Sequence, residues 1–174
     1  MSMDEIVLGG GCFWCIESVF KMLDGVDEVV SGYAGGSVDN PSYRQVCSGT
    51  TGHAEVVQVH YNETVVSYEE LLEVFFEVHN PETEDREGPD IGSQYRSIIL
   101  YHNKDQKEMA EQKIQQLEED KYDRIVTELS ELQDFYKAED KHQDFFEKNP
   151  SSGYCQVQIP PKQSKVKKKF DDKL

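Results

Sequence analysis

The chain has no long apolar run. None of its hydrophobic stretches approaches the ~20 residues of a membrane-spanning helix, and apolar residues make up 37% of its 174 positions. Positive charge is scarce: 18 Lys and Arg stand against 34 Asp and Glu, a net charge of -16. An acidic body argues against a nucleic-acid partner. Much of the positive charge is confined to one end. Residues 162–174 hold Lys162, Lys165, Lys167, Lys168, Lys169 and Lys173 against Asp171 and Asp172, so the rest is more acidic still. That run reads as a solvated chain end, with contact to an acidic partner as the alternative. Internal repeats and Pro/Gly/Ser linkers are absent, which predicts one domain over 1–174. Asp4 and Glu5 precede only a short apolar stretch, so the start does not read as a signal peptide. Cysteine is limited to Cys12, Cys15, Cys47 and Cys155. Outside a secretory context such thiols read as catalytic, redox-active or metal-binding rather than as a disulfide framework.

What is present is concentrated in Gly9-Gly10-Gly11-Cys12-Phe13-Trp14-Cys15, directly after Ile6-Val7-Leu8. Three glycines permit a turn that side chains would obstruct, and the pattern then becomes helical. Cys12 is therefore expected at a helix N-terminus, where unpaired N–H groups and the helix dipole favour a thiolate. Phe13 and Trp14, the only tryptophan, are the candidates to line an apolar pocket beside it.

Residues 4–8 read as a strand and 12–23 as a helix, with Phe13, Ile16, Phe20 and Leu23 at helical spacing. Strands are expected at 26–34 and 54–61. Ser67 and Glu70 have capping-box spacing ahead of Leu71, Leu72, Phe75 and Phe76, a second core helix. A fourth strand follows at 96–102. The order β-α-β-β-α-β predicts an α+β fold, a ferredoxin-like two-layer sandwich with an antiparallel or mixed sheet. Additional helices are expected at about 104–120 and 138–147, with an edge strand within 125–132. Residues 149–174, rich in proline and lysine, are expected to form an extended, partly flexible tail. The long connections 35–53 and 80–95 are candidates for functional loops.

Cys12 and Cys15 form C-x-x-C, which places two sulfurs one helical turn apart, close enough for a disulfide. The spacing fits a thioredoxin-like redox site, half of a zinc site, or a nucleophile with a spare thiol. Glu55 shares a strand face with Val57, Val59 and Tyr61. A carboxyl on an apolar face is desolvated, stays protonated near neutrality and can donate a proton; an edge-strand Glu reaching solvent is the alternative. Tyr33, before Gly35-Gly36, and Tyr95, before the fourth strand, are candidate hydrogen-bond donors, although either could be a core tyrosine. Asp90, in Gly88-Pro89-Asp90-Ile91-Gly92, reads by default as a turn residue. His53 would be a zinc ligand only if Cys12, Cys15 and Cys47 converged on it. Cys155 lies in the tail, where a thiol could swing to another site.

Five segments together resemble the peptide methionine sulfoxide reductase A family over most of the chain. They are Gly10-Gly11-Cys12-Phe13-Trp14-Cys15; Ser31-Gly32-Tyr33-Ala34-Gly35-Gly36; Tyr43-Arg44-Gln45-Val46-Cys47; Thr51-Gly52-His53-Ala54-Glu55-Val56-Val57; and Gly88-Pro89-Asp90-Ile91-Gly92-Ser93-Gln94-Tyr95-Arg96-Ser97. The resemblance implies a cytoplasmic, monomeric reductase for the S epimer of methionine sulfoxide, free or in proteins, that works without a cofactor or metal. By the same carry-over Cys12 is the nucleophile, Glu55, Tyr33 and Tyr95 surround the sulfoxide oxygen, Asp90 supports the site, and Phe13 and Trp14 receive the substrate methyl. Thioredoxin or a similar dithiol is implied as the reductant, with no nucleic acid and no membrane. This chain departs from the commoner pattern at Cys15, where many members have Gly, and at Glu87, where Gln is frequent.

The chemistry is coherent in its own right. A thiolate attacks a sulfoxide sulfur only if the oxygen is protonated or strongly hydrogen-bonded, which a neutral carboxyl and phenol donors supply. Cys12 then becomes a sulfenic acid, and a second thiol condenses with it to a disulfide. Cys155 and Cys15 are both candidates for that thiol. Cys155 is the expected one, because a flexible tail reaches easily whereas a helix restrains Cys15. The competing functions are a general thiol–disulfide oxidoreductase, which leaves Glu55 and the tyrosines unexplained, and a zinc-binding interaction module.

Overall fold

A computed structural model describes residues 3–174. In chain order its elements are β1 (Met3–Gly9), α1 (Phe13–Phe20), β2 (Val26–Ala34), α2 (Tyr43–Cys47), β3 (Ala54–Asn62), α3 (Tyr68–Val78), β4 (Arg86–Glu87), β5 (Asp90–Ile91), β6 (Ile98–Tyr101), α4 (Lys104–Asp120), β7 (Glu128–Glu131), β8 (Phe135–Lys137), α5 (Phe145–Lys148) and α6 (Gly153–Lys169). Six strands form one sheet in the order β7-β6-β1-β3-β2-β8. Its centre, β6-β1-β3-β2, is antiparallel throughout and has the split arrangement that the β-α-β-β-α-β pattern predicts. β7 runs parallel to β6 and β8 antiparallel to β2, so the sheet is mixed.

Alternation along the strands divides the core. Ile6, Leu8, Val57, Val59 and Ile99 face the helices and join Phe13, Ile16, Phe20, Leu71, Leu72 and Phe75 in the main cluster. Val7, Val56, Ile98 and Leu100 face the other way into a smaller cluster. α3 begins where Ser67 Oγ accepts the Glu70 N–H (3.1 Å) and the Glu70 carboxylate accepts the Ser67 N–H (3.1 Å), the reciprocal cap expected from its sequence. α2 has the same cap from Ser42 and Gln45.

The end of the chain differs from its expectation. Residues 153–169 are not extended but helical, and α6 buries Cys155, Ile159 and Val166 in the main core. These three lie four and seven residues apart, which is helical spacing, but so sparse that Pro160, Pro161 and the lysines mask it. The helix expected at 138–147 is broken in two: a 3-10 turn at Asp140–His142 and the short α5, separated by Gln143 and the left-handed Asp144 (φ 55). β7 lies within 125–132, whereas β8, the opposite sheet edge, was not expected. The loops 35–53 and 80–95 carry α2, the β4-β5 hairpin and a 3-10 turn at Ser93–Tyr95. The second loop reaches the end of β1, where the Gly11 N–H donates to the Tyr95 carbonyl at 3.1 Å.

Candidate active site

The turn between β1 and α1 is packed from beneath. Gly11 is in the left-handed region (φ 84), and a Cβ there would lie 2.6 Å from Glu87 Cγ; at Gly10 it would lie 2.8 Å from His79 Cδ2. His79 is a fixed platform. Its Nδ1–H donates to the Phe75 carbonyl (2.6 Å), and its Nε2 accepts from Ser97 Oγ (2.7 Å). Burial pushes its pKa down to about 4, so the ring is neutral.

Cys12 is the N-cap residue of α1, with extended backbone (ψ 132), and it is buried. The Trp14 N–H favours its thiolate, as a helix N-terminus should. Burial outweighs this, and the Glu55 and Cys15 charges add to burial, so the thiol is held well above its ordinary pKa. The resting Cys12 is therefore a thiol and not the thiolate that position alone suggests. Glu55 is 1% exposed on the helix-facing side of β3. Its Oε1 accepts the Phe13 N–H at 3.1 Å, and its Oε2 is buried without a partner. Burial raises its pKa to about 8, against the Phe13 N–H, which favours the carboxylate. Cys12 and Glu55 are thus both protonated at neutral pH, burial being the main cause for each.

The tyrosines divide differently from the sequence reading. The Tyr33 hydroxyl is occupied by Glu139 Oε1 at 2.9 Å. Glu139 Oε2 in turn accepts the Tyr43 N–H at 3.1 Å, which fastens α2 over β2. Tyr43 is the residue whose ring lies among the site's aromatics, with its centroid 6.2 Å from Phe13 and 4.3 Å from His142. Burial raises the pKa of Tyr43 and of Tyr95, and the Glu55 charge is the next cause for both. Burial raises the pKa of the half-buried Cys47 thiol, and the Tyr43 and Tyr95 hydroxyls act against it. The sequence reading missed Tyr43; the signal was the cap at Ser42–Gln45, which puts Tyr43 and Cys47 on one face of a short helix.

Phe13 and Trp14 face an aromatic wall, not one another alone. Trp14 stacks on Phe145 (3.7 Å, 6°) and meets Tyr154 edge-on (5.9 Å, 77°). Its Nε1–H donates to His142 Nδ1 at 3.3 Å. Phe13 lies 5.6 Å from the His142 ring. His142, Phe145 and Tyr154 come from the last third of the chain, where nothing in the sequence pointed to them.

Cys15 is the third residue of α1 and buried, with its Sγ 3.8 Å from the Tyr154 hydroxyl. That hydroxyl donates a short hydrogen bond to Asp90 Oδ2, so Asp90 is a partner of the site and not a free turn residue. Burial raises the Asp90 pKa. Cys155 is fully buried in the first turn of α6, not carried on a swinging tail. Its charge bears on Cys15. All four cysteines are free thiols. His53 is not available as a metal ligand: its Nδ1 accepts the Gly36 N–H (3.0 Å) and its Nε2–H donates to the Val38 carbonyl (2.6 Å). Among the described residues no group of three His, Cys, Asp or Glu side chains is placed to hold a metal ion.

A buried nucleophile paired with a protonated carboxyl, hydroxyl donors and an apolar wall suits reduction of a polarised S–O bond. Comparison with known proteins points the same way. The family profile described as peptide methionine sulfoxide reductase matches residues 4–174. A peptide methionine sulfoxide reductase MsrA of Natronomonas pharaonis is 56% identical over 169 residues, 96% of this chain and 95% of its own. The crystal structure of reduced Mxr1 from Saccharomyces cerevisiae superposes with a TM-score of 0.84 at 32% identity, covering 91% of this chain and 90% of that one. Mxr1 in complex with Trx2 is alike in fold (TM-score 0.60, 23% identity, 82% of this chain and 84% of that one). The chain belongs to the peptide methionine sulfoxide reductase family.

Proposed function

We infer that this chain reduces methionine S-sulfoxide, free and in proteins, to methionine through Cys12, and that a thioredoxin-type dithiol regenerates it. The observation that carries the reading is the Cys12–Glu55 pair: a buried carboxyl with a pKa of about 8, one oxygen held by the Phe13 N–H and the other unpartnered. The sulfoxide oxygen fits against that free oxygen, with the Tyr43 and Tyr95 hydroxyls as further donors, and the substrate methyl fits against Phe13, Trp14 and the aromatic wall. Glu55 passes its proton to the sulfoxide oxygen as the Cys12 sulfur attacks the substrate sulfur. The Cys12 proton moves to Glu55, the hydroxyl passes from the substrate sulfur to the Cys12 sulfur as the substrate S–O bond and the transient S–S bond break, and the thioether leaves with the electron pair, so Cys12 is left as a sulfenic acid. No proton is drawn from solvent, so a high thiol pKa in the resting enzyme is no obstacle. Tyr43 takes the donor role that the sequence reading gave to Tyr33; Asp90, through Tyr154, supports the wall.

For recycling, the burial of Cys155 in α6 removes the argument for a swinging tail. Cys12 at the N-cap and Cys15 at the third helical position are placed as C-x-x-C pairs that close a disulfide at a helix start. In this reading Cys15 resolves first. Its sulfur attacks the sulfenic sulfur and water leaves. Cys155, in the same core cluster as Cys15, then takes part in exchange with the external dithiol. The complex of Mxr1 with Trx2 supports thioredoxin as that reductant. The same reading takes the enzyme to act as a cytoplasmic monomer; no helix among the described residues is long and apolar enough to cross a membrane. The test is turnover of each sulfoxide epimer with dithiothreitol. The S epimer alone should be reduced, and Cys12→Ser should be inactive. Turnover of the R epimer, or activity in Cys12→Ser, would overturn the assignment.

A further inference from the structure

Glu17 lies on α1 three residues beyond Trp14, on the same side of the helix, and is 2% exposed. The reduction step does not use it. Its Oε2 accepts two hydrogen bonds at 3.1 Å, from Ser31 Oγ on β2 and from the Asp144 N–H. Asp144 is the N-cap of α5 and left-handed (φ 55), a conformation that is strained in a residue other than glycine. The next residue is Phe145, whose ring centroid lies 3.7 Å from that of Trp14 at an interplanar angle of 6°. The same segment is fastened at two further points. The Gln143 side chain accepts the Ser31 N–H (2.9 Å) and donates to the Ser31 carbonyl (2.9 Å), so it stands in for a strand partner. Lys21, one turn on from Glu17, forms ion pairs with Asp144 and with Glu147 (3.2 Å). These contacts tie a strained turn between His142 and Phe145, two members of the aromatic wall, to α1 and β2.

A buried carboxyl carries a desolvation cost that an apolar side chain at the same point of a core helix avoids. At Glu17 the Ser31 hydroxyl and the Asp144 N–H offset that cost, and the second of these fixes the backbone that aims Phe145. We propose that Glu17 is a positioning residue for the substrate pocket: by holding the Asp144 N–H it keeps Phe145 stacked on Trp14, and that stack sets how tightly the substrate methyl is bound. The proposal rests on the reading of Trp14 and the aromatic wall as the methyl pocket. Glu17 itself touches no reacting atom. Without its acceptor the Asp144 N–H is left unpaired, and the turn is free to relax out of the left-handed region and carry Phe145 off the indole face. The indole stays anchored on α1. The loss therefore falls on the Phe145 side of the pocket and leaves Cys12 and Glu55 in place, so it is a loss of affinity and not of chemistry.

The test separates affinity from chemistry. Methionine release in a single turnover is followed over a range of methionine S-sulfoxide concentrations. Trp14, the only tryptophan, reports the stack by its fluorescence. Glu17→Leu keeps the volume and removes the acceptor. It should raise the half-saturating sulfoxide concentration about tenfold, the worth of an aromatic stack, and leave the saturating rate within about threefold of wild type. Its Trp14 emission should shift as that of Phe145→Leu does. Glu17→Gln, whose amide oxygen still accepts, should restore both readings. Adding Phe145→Leu to Glu17→Leu should raise the concentration no further, since both act on one contact. An unmoved half-saturating concentration in Glu17→Leu, an unchanged Trp14 emission, or effects that multiply in the double variant would each overturn the assignment. If Glu17→Leu does not fold, Glu17→Asp, too short to reach both donors, takes its place, and wild-type values there overturn the assignment equally. Phe145→Leu alone tests the underlying reading. If it binds sulfoxide as the wild type does, the Phe145 wall is not the methyl pocket and this proposal falls with that reading; if it weakens binding while Glu17→Leu does not, only the role of Glu17 fails.

Discussion

The two sides of the first turn of α1 are built from different parts of the chain and solve different problems. On the sheet side, Cys12 is served by Glu55 from β3, whose charge bears on Cys12 and on the hydroxyls of Tyr43 from α2 and Tyr95 from the loop before β6. That side keeps a buried carboxyl oxygen, Glu55 Oε2, without a hydrogen-bond partner. On the helix side, Cys15 meets Tyr154 from α6, the helix that also carries Cys155, and Cys155 has no exposed surface. The sheet side is preorganised to stabilise an oxygen that gains charge. The helix side is packed shut, so access to its thiols requires α6 to yield. In the proposed mechanism reduction and recycling therefore share one helix turn but are governed by different elements, and substitutions should separate them.

The sharpest break is at the shared residue. Cys12→Ser should abolish both halves, because a serine hydroxyl is a poor nucleophile toward sulfur; methionine release in a single turnover should be undetectable. Glu55→Gln should strike the sheet side alone and slow the first methionine release by about 10²–10⁴-fold, the range of general acid catalysis. The wild-type rate of that step should fall as pH rises through about 8, where Glu55 loses its proton. That alkaline limb should vanish in Glu55→Gln. A persistent limb would assign it to another group. Next in size, Tyr43→Phe should cost about 10- to 100-fold in the same step, the worth of one hydrogen bond to developing charge. Tyr33→Phe should stay within about threefold, since its hydroxyl serves Glu139. Equal losses would return Tyr33 to the site.

On the helix side, Cys15→Ser should leave the first methionine release intact and slow steady-state turnover with thioredoxin by about tenfold or more. Unchanged turnover in Cys15→Ser, with a Cys12–Cys155 disulfide on mapping, would restore the tail thiol to the first resolving role. The smallest effect concerns the scaffold that both sides share. Glu17 on α1 accepts from Ser31 Oγ and the Asp144 N–H, each at 3.1 Å, and burial raises its pKa to about 7. The folded state thus binds its proton more tightly than the unfolded chain does. The resulting stability is complete below the ordinary carboxyl range and lost as pH rises through about 7. Glu17→Gln should flatten the fall in Tm between pH 5 and pH 8 by about 2–4 °C; an unchanged slope by calorimetry would show that Glu17 does not titrate in that range.

Much of the sheet side was legible because strands and tight turns leave local signatures. Alternation around Val57, Val59 and Tyr61 put Glu55 on the helix-facing side, and that is where it lies. The glycines before Cys12 announced a turn that no Cβ fits. The helix side was not legible. Ile159 and Val166 are sparse apolar positions in a run dominated by proline and lysine, and their helix is held by burial against α1 rather than by propensity. Tyr43 was hidden for a related reason: a five-residue helix in a long loop has too few apolar positions to show a period.

By itself the sequence determined the β-α-β-β-α-β order of the central elements, the split sheet, the place of Cys12 at a helix start and the strand face that Glu55 shares with Val57 and Val59. Each of these follows from spacing along the chain and from which residues prefer to leave water. The tertiary structure alone decided which tyrosine hydroxyl is free, that Cys12 rests as a thiol, and that Cys155 is locked in a helix. Those properties depend on partners more than a hundred residues away, Glu139 for Tyr33 and Tyr154 for Cys15, and on desolvation by surrounding elements. Protonation states and hydroxyl partners are set by that surrounding volume, and a linear pattern does not contain it.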